Sequence, residues 1–131
     1  QLTEKWESHG AASVIRNEWQ TSILINGYLY GFDNVGSAGP VTHLTCVEAA
    51  TGKRMWREIR FGKGNLLAAD GKLFIVTMKG ELVVVQATPT QYKELGRSVV
   101  MDRTRQAPAL SHGHLFLRDD KSIICFDVRQ R

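Results

Sequence analysis

Residues 22–30 read SILINGYLY, and this stretch decides the fold because two short apolar runs flank an Asn-Gly turn. An Asn-Gly pair between such runs is the strongest short-range signal for a β-hairpin. The pattern recurs as LLAADGKLF at residues 66–74 and as APALSHGHLF at residues 107–116. The turn glycines Gly27, Gly71 and Gly113 are spaced by 44 and 42 residues. The chain therefore contains an internal repeat whose period is typical of repeat architectures.

Each hairpin is followed by a third apolar run, at residues 44–48, 82–86 and 123–127. A fourth run follows in the first two repeats, at residues 53–59 and 92–101. Four short antiparallel strands per repeat are typical of a propeller blade, and no window has the apolar spacing of a helix. The sequence predicts an all-β protein made of three four-stranded antiparallel propeller blades. Their predicted bounds are residues 10–61, 62–104 and, for three strands only, 105–131.

The third blade lacks a fourth strand, and residues 1–9 supply a matching segment. The pattern around Trp6 is similar to that around Trp56 in the run at residues 53–59. Three blades are too few to close a ring, because a propeller needs at least about four. We expect residues 1–9 to complete the last blade of another chain, so that strand exchange closes the ring, most simply in a homodimer of six blades. A partner protein, or a longer propeller of which this chain is a piece, remains the alternative.

Composition excludes several classes of function. The 17 Lys and Arg are dispersed among 13 acidic residues, so the net charge of +4 forms no basic run, and we expect no nucleic-acid binding. No apolar stretch approaches the roughly 18 residues of a membrane span. Cys46 and Cys125 show no metal-binding spacing, and each lies in an apolar run, which predicts two small buried thiols.

Residues 46–56, CVEAATGKRMW, resemble the repeat of pyrroloquinoline-quinone-like propellers, the quinoprotein type. In that family the tryptophan docks against the neighbouring blade and the Thr-Gly turn shapes the hairpin between the third and fourth strands. The resemblance therefore implies interblade docking by Trp6, Thr51, Gly52 and Trp56. Glu48 stands where the family has Asp. The resemblance also favours a bacterial protein that is periplasmic or secreted.

Fold likeness does not fix function, so the chemistry of the residues has to be weighed separately. Quinone-dependent dehydrogenases of this superfamily resemble one another in an adjacent disulfide and an eight-blade cofactor site, neither of which this sequence provides. The segments Asp119-Asp120 and His112-Gly113-His114 are interpreted as parts of turns. We predict no catalytic residue, metal or cofactor, and a non-catalytic binding or scaffolding module. The alternative is a quinone- or carbohydrate-related enzyme whose site lies in the channel of the assembled propeller.

Loops at one end of the blades are the candidate binding face. In propellers the loops between the fourth and first strands and between the second and third strands share one face. Here the second-to-third loop of blade 1 is the longest, and it is predicted to contain residues 34–40 together with His43. Basic residues outnumber acids on this face, which is compatible with an anionic or sugar-like ligand or an acidic partner. The candidates are Arg16, Trp19, His43, Lys63, Arg103 and Arg105.

Overall fold

The computed structural model describes residues 1–36 and 41–129, and over these residues the chain forms eleven strands and one short 3₁₀ turn, Gly10–Ala12. Each strand coincides with, or overlaps, one of the predicted apolar runs. The strands are β1 (Ile23–Ile25), β2 (Tyr28–Val35), β3 (Val41–Glu48), β4 (Arg54–Glu58), β5 (Gly64–Ala69), β6 (Lys72–Thr77), β7 (Glu81–Gln86), β8 (Glu94–Val99), β9 (Ala109–Ser111), β10 (His114–Arg118) and β11 (Ile123–Asp127).

The strands form three antiparallel sheets of four, four and three strands. Their orders are β1-β2-β3-β4, β5-β6-β7-β8 and β11-β10-β9, so each sheet is a simple meander along the chain. The predicted fold class, an all-β protein of antiparallel propeller-type sheets, is confirmed. Closure of a ring through an oligomer stays a prediction.

The turn residues explain why each repeat begins with a hairpin. Asn26, Asp70 and His112 have φ angles of 48°, 49° and 49°, and the glycines that follow them also have positive φ. Two consecutive residues with positive φ make a type I′ turn, whose twist matches that of the flanking strands. The interpretation of His112 as a turn residue is therefore confirmed.

A bulge interrupts the outer strand pair in both four-stranded sheets. The register shifts between Cys46 and Val47 in β3, opposite Trp56 and Arg54 in β4. It shifts in the same way between Val84 and Val85 in β7, opposite Gly96 and Glu94 in β8. The extra residue turns the side chains that follow onto the other face of the strand.

Contacts divide the described chain into two compact units, residues 1–63 with 87–92 and residues 64–86 with 93–129. The first unit buries an apolar face of β2 and β3, including Tyr30, Phe32, Leu44 and Cys46. In the second unit β6, β7 and β10 supply the buried hydrophobic side chains. These are Leu73, Phe74, Ile75, Val76, Val83, Val85, Leu115 and Leu117.

Four sequence predictions need a correction or a limit. His43 is not in a loop, because β3 begins at Val41 and buries the imidazole. Cys125 is exposed, since it lies on the edge strand β11, whereas Cys46 is buried as expected. Residues 1–9 form no strand within this chain. Of the predicted loop 34–40, the first two residues belong to β2 and residues 37–40 lie outside the described residues.

Asp119 follows β10 and organises the last hairpin. One carboxylate oxygen, Oδ1, accepts hydrogen bonds from the backbone N–H groups of Lys121 and Ser122 at 2.8 and 2.7 Å. These hydrogen bonds lower the pKa of the Asp119 carboxyl. The interpretation of Asp119-Asp120 as a turn is confirmed.

None of the described residues belongs to a helix long and apolar enough to cross a bilayer.

Candidate functional site

The first sheet carries a buried carboxylate at the end of β2. The Asp33 side chain has no exposed surface, and Arg16 holds it with two hydrogen bonds, Nε to Oδ1 at 2.8 Å and Nη2 to Oδ2 at 3.4 Å. Arg16 also donates to the Gly10 carbonyl at 3.4 Å. A two-point guanidinium–carboxylate contact fixes both groups, so the segment before β1 is anchored to β2. Hydrogen bonding to Asp33 raises the pKa of Arg16.

Two further guanidinium groups from β4 face the same carboxylate. Arg54 Nη2 lies 3.5 Å from Asp33 Oδ2, and Arg57 Nη1 lies 3.9 Å from it. Arg54 Nη2 also donates to the carbonyls of Ser13 and Val14, at 3.4 and 3.3 Å. We call Arg16, Asp33, Arg54 and Arg57 the arginine cluster. It holds three positive charges against one negative charge.

His43 stands opposite Asp33 in the β2–β3 register and borders the arginine cluster. Its Nδ1 atom accepts a hydrogen bond from the backbone N–H of Arg60 at 2.9 Å. Burial, followed by the charge of Arg57, lowers the pKa of His43. The imidazole is therefore neutral at pH 7 with its proton on Nε2, and it adds no positive charge to the cluster.

Trp19 and Lys63 meet beside the first sheet. The Lys63 ammonium lies 5.4 Å from the centre of the Trp19 ring, a cation–π arrangement. The same ammonium bonds both carboxylate oxygens of Glu18, at 2.8 and 2.7 Å. Glu18 in turn accepts from the Asn34 side-chain amide at 3.0 Å. Lys63 is thus neutralised, although the sequence indicated it as an anion-binding residue.

Arg103 and Arg105 lie in the second unit and line a cavity of about 280 Å³ together with Met78, Thr104, Gln106 and Asp120. The Arg105 carbonyl accepts a hydrogen bond from the Asn65 side-chain amide at 2.9 Å. Another cavity of the second unit, about 380 Å³, contains Lys72 and Arg129. Lys72 already pairs with Asp70, and Arg129 pairs with Asp127. The two cations of the 380 Å³ cavity are therefore neutralised.

The predicted site residues therefore separate into two groups. The first unit contains Arg16, Trp19, His43 and Lys63, and the second contains Arg103 and Arg105. Sequence reasoning missed Asp33, Arg54 and Arg57. The repeat itself contained one signal for Asp33. The sixth residue after the turn glycine is polar in all three repeats, as Asp33, Thr77 and Asp119, and the structure buries all three.

Two tryptophans make equivalent hydrogen bonds within the first unit. The Trp56 indole N–H donates to the Thr88 carbonyl at 2.7 Å, and Thr88 follows β7 in the turn to β8. The Trp6 indole N–H donates to the Ala49 carbonyl at 2.8 Å, and Ala49 follows β3 in the turn to β4. Each indole thus reaches the turn between the third and fourth strands of a sheet. Interblade docking stays a prediction for both residues.

The Thr51-Gly52 turn has the local geometry that docking of Trp6 needs. The Thr51 hydroxyl donates to the Glu48 carboxylate and accepts from the Lys53 N–H at 3.2 Å. Gly52 has φ +75°, and a Cβ placed there would lie 2.6 Å from Cε3 of the Trp6 ring. Glycine is needed here both for its backbone conformation and for the space that the indole occupies.

We predict that Gly52→Ala displaces Trp6 and lowers the free energy of unfolding by about 2 kcal/mol, from left-handed backbone strain plus the lost contact. Gly27→Ala is a matched control, because Gly27 has φ +84° and nothing within 4 Å of its missing Cβ. The tryptophan emission spectrum of the folded chain should shift in Gly52→Ala alone, because Trp6 is the tryptophan that this change displaces. An equal spectrum in both variants would show that the indole does not depend on Gly52.

Comparison with known proteins adds one finding about the fold. No protein-family model matches the chain, and no curated protein does. Among solved structures it is similar to a europium-containing methanol dehydrogenase, with a TM-score of 0.56 and 16% identity over 73% of this chain. The likeness supports a propeller-type fold. The chain spans 19% of that protein's length, and at this identity the likeness concerns the fold alone.

Proposed function

We propose that the chain is a non-catalytic propeller module that assembles with a second copy of itself. Residues 2–8 of each copy complete the three-stranded sheet of the other. Two copies then give six blades. Head-to-tail exchange of this kind forms a closed ring when the rotation that relates one copy to the next brings the second copy back onto the first.

The observation that carries this proposal is the equivalence of Trp6 and Trp56. Trp56 is on β4, the fourth strand of its sheet, and donates to the Thr88 carbonyl in the next turn of this type. Because Trp6 makes the same bond to Ala49, residues 2–8 stand where the fourth strand of a further sheet belongs. No described strand of this chain pairs with them.

The third sheet has the complementary deficiency. Over the described residues it has three strands, so the outer edge of β11 is unpaired. Ile123 on β11 is 70% exposed, Phe116 on β10 is 38% exposed, and Leu2 is fully exposed. An open edge next to exposed apolar side chains is a template for pairing with another chain. Strand exchange between two copies satisfies the edge and the N-terminal segment together.

Sedimentation velocity tests this proposal. At about 10 μM we expect one species of twice the 14.7 kDa chain mass. A deletion of residues 1–8 should give a monomer or an aggregate. A well-folded monomer of the intact chain would contradict the proposal and would favour the alternative that the chain is a piece of a longer propeller.

Two proline variants distinguish strand pairing from simple contact. Along an edge strand, alternate N–H groups point to the partner strand, so either Glu4→Pro or Lys5→Pro removes a ladder hydrogen bond. We expect one of the two variants to weaken dimerisation at least 10-fold and the other to weaken it less. If both variants dimerise as the parent chain does, residues 2–8 do not pair as a strand.

A further inference from the structure

The arginine cluster has more positive charge than its surroundings neutralise. Asp33 is fully buried and its oxygens are held by Arg16, so its negative charge is already engaged. The nearest approaches of Arg54 and Arg57 to it are 3.5 and 3.9 Å. Arg54 Nε is buried and has no hydrogen-bond partner among the described residues. A buried charged donor without an acceptor is costly, and such groups require an explanation.

The second sheet shows how the same positions are neutralised elsewhere in this chain. Arg57 is opposite Thr45 in β3, and Arg97 is opposite Val83 in β7, which is the aligned residue of the third strand. Arg54 and Glu94 likewise stand directly before the extra residue of the bulge in β4 and β8. In the second sheet Arg97 pairs with Glu94 at 3.0 Å and with Glu81 at 3.2 Å. Arg54 in the first sheet thus occupies the position of Glu94 in the second, and Arg57 occupies that of Arg97.

The position that corresponds to Glu81 also differs. It is His43 in the first sheet, one residue before the aligned runs 44–48 and 82–86. His43 is neutral, as described above. Two carboxylates therefore face one guanidinium in the second sheet, whereas one carboxylate faces three in the first. The first sheet lacks the anions with which the second sheet balances the same site.

We propose that Arg54 and Arg57 bind an oxyanion, the phosphate or carboxylate group of a small molecule, with Asp33 and Arg16 as the frame that orients them. Guanidinium groups match both kinds of oxyanion through paired N–H donors. The Arg54 and Arg57 side chains are 31% and 35% exposed, so an ion in solution reaches them. Burial and the charge of Arg57 lower the pKa of Arg54, in accord with the unbalanced charge. The site rests on the first sheet and does not depend on the proposed assembly.

Nuclear magnetic resonance of the intact chain tests the site directly. Inorganic phosphate and acetate are titrated separately at constant ionic strength, and the arginine Nε–H resonances are followed. We expect saturable shifts of the Arg54 and Arg57 resonances with at least one of the two anions, and the anion that saturates at the lower concentration identifies the group that is preferred. The absence of a saturable shift with both anions would overturn the proposal.

Arg54→Glu is the decisive variant, because it gives the first sheet the Glu-Arg pair of the second sheet. It should stay folded, as judged by its unfolding transition. The anion concentration that half-saturates the Arg57 shift should rise at least 10-fold. Arg97→Gln is the matched control, and it should leave the titration unchanged. Equal titrations of Arg57 in the parent chain and in Arg54→Glu would show that the shift is a nonspecific ionic effect and would overturn the proposal.

Discussion

Trp56→Ala should lower the free energy of unfolding by about 3 kcal/mol, at the lower end of the range for truncation of a large core aromatic. The indole ring is half-buried, with its centre 6.1 Å from that of Tyr30 and 5.8 Å from that of Tyr92. The truncation also leaves the Thr88 carbonyl without its 2.7 Å hydrogen bond. Urea denaturation followed by circular dichroism measures the loss.

Trp19→Ala is the control for this experiment. Trp19 is 39% exposed, and Lys63 keeps its two bonds to Glu18 when the ring is removed. We expect a loss of less than about 1 kcal/mol, as is usual for exposed positions. Comparable losses in the two variants would mean that Trp56 contributes no more than a surface aromatic.

Asp33→Asn should lower the free energy of unfolding by about 3 kcal/mol. Removal of one partner from a buried ion pair typically costs about 3–5 kcal/mol, and the partial exposure of the guanidinium groups places this case at the low end. The change leaves Arg16, Arg54 and Arg57 without any carboxylate between them. Added Arg54→Gln should recover part of the loss, because it removes one of the repelling charges.

Asp70→Asn provides the matched control for the aspartate substitution. Asp70 is the turn residue of the second repeat, its side chain is 83% exposed, and Asn26 holds the same place in the first repeat. We expect a change within about 0.5 kcal/mol. Thermal unfolding at low and high salt adds a second readout, since screening should reduce the loss in Asp33→Asn only. A salt-independent loss would indicate a packing defect rather than charge repulsion.

Most of the fold could be predicted from the sequence because its determinants are local. Positive φ at Asn26, Asp70 and His112 followed by glycine fixes each hairpin, and the alternation of side chains in β10 fixes which of its faces is buried. The start of β3 could not be predicted in this way. The third apolar run of the first repeat starts at Leu44 and the sequence predicts His43 in the loop before it, yet Thr42 donates to the Asn34 side chain at 2.9 Å and extends the ladder.

The arginine cluster was beyond local reasoning for a different reason. Arg54 and Arg57 are three residues apart, and in a regular strand they would point to opposite faces. The bulge opposite Cys46 and Val47 inserts Met55 and turns both guanidinium groups to the Asp33 side. A bulge is not evident from the amino-acid composition or from the alternation of apolar and polar residues along a strand. The recurrence of one in β8, where Glu94 and Arg97 meet, is visible only once the register is known.

The unequal exposure of the two cysteines gives the chain a built-in chemical reporter. Burial raises the pKa of the Cys46 thiol to about 11, so at pH 8 it is almost wholly protonated and shielded from reagents. Cys125 is exposed at the centre of β11, an edge strand whose outer side has no partner among the described residues. A colorimetric thiol reagent therefore titrates one sulfur per native chain and two after denaturation. The rate of the first reaction, followed against protein concentration, measures how often β11 is uncovered.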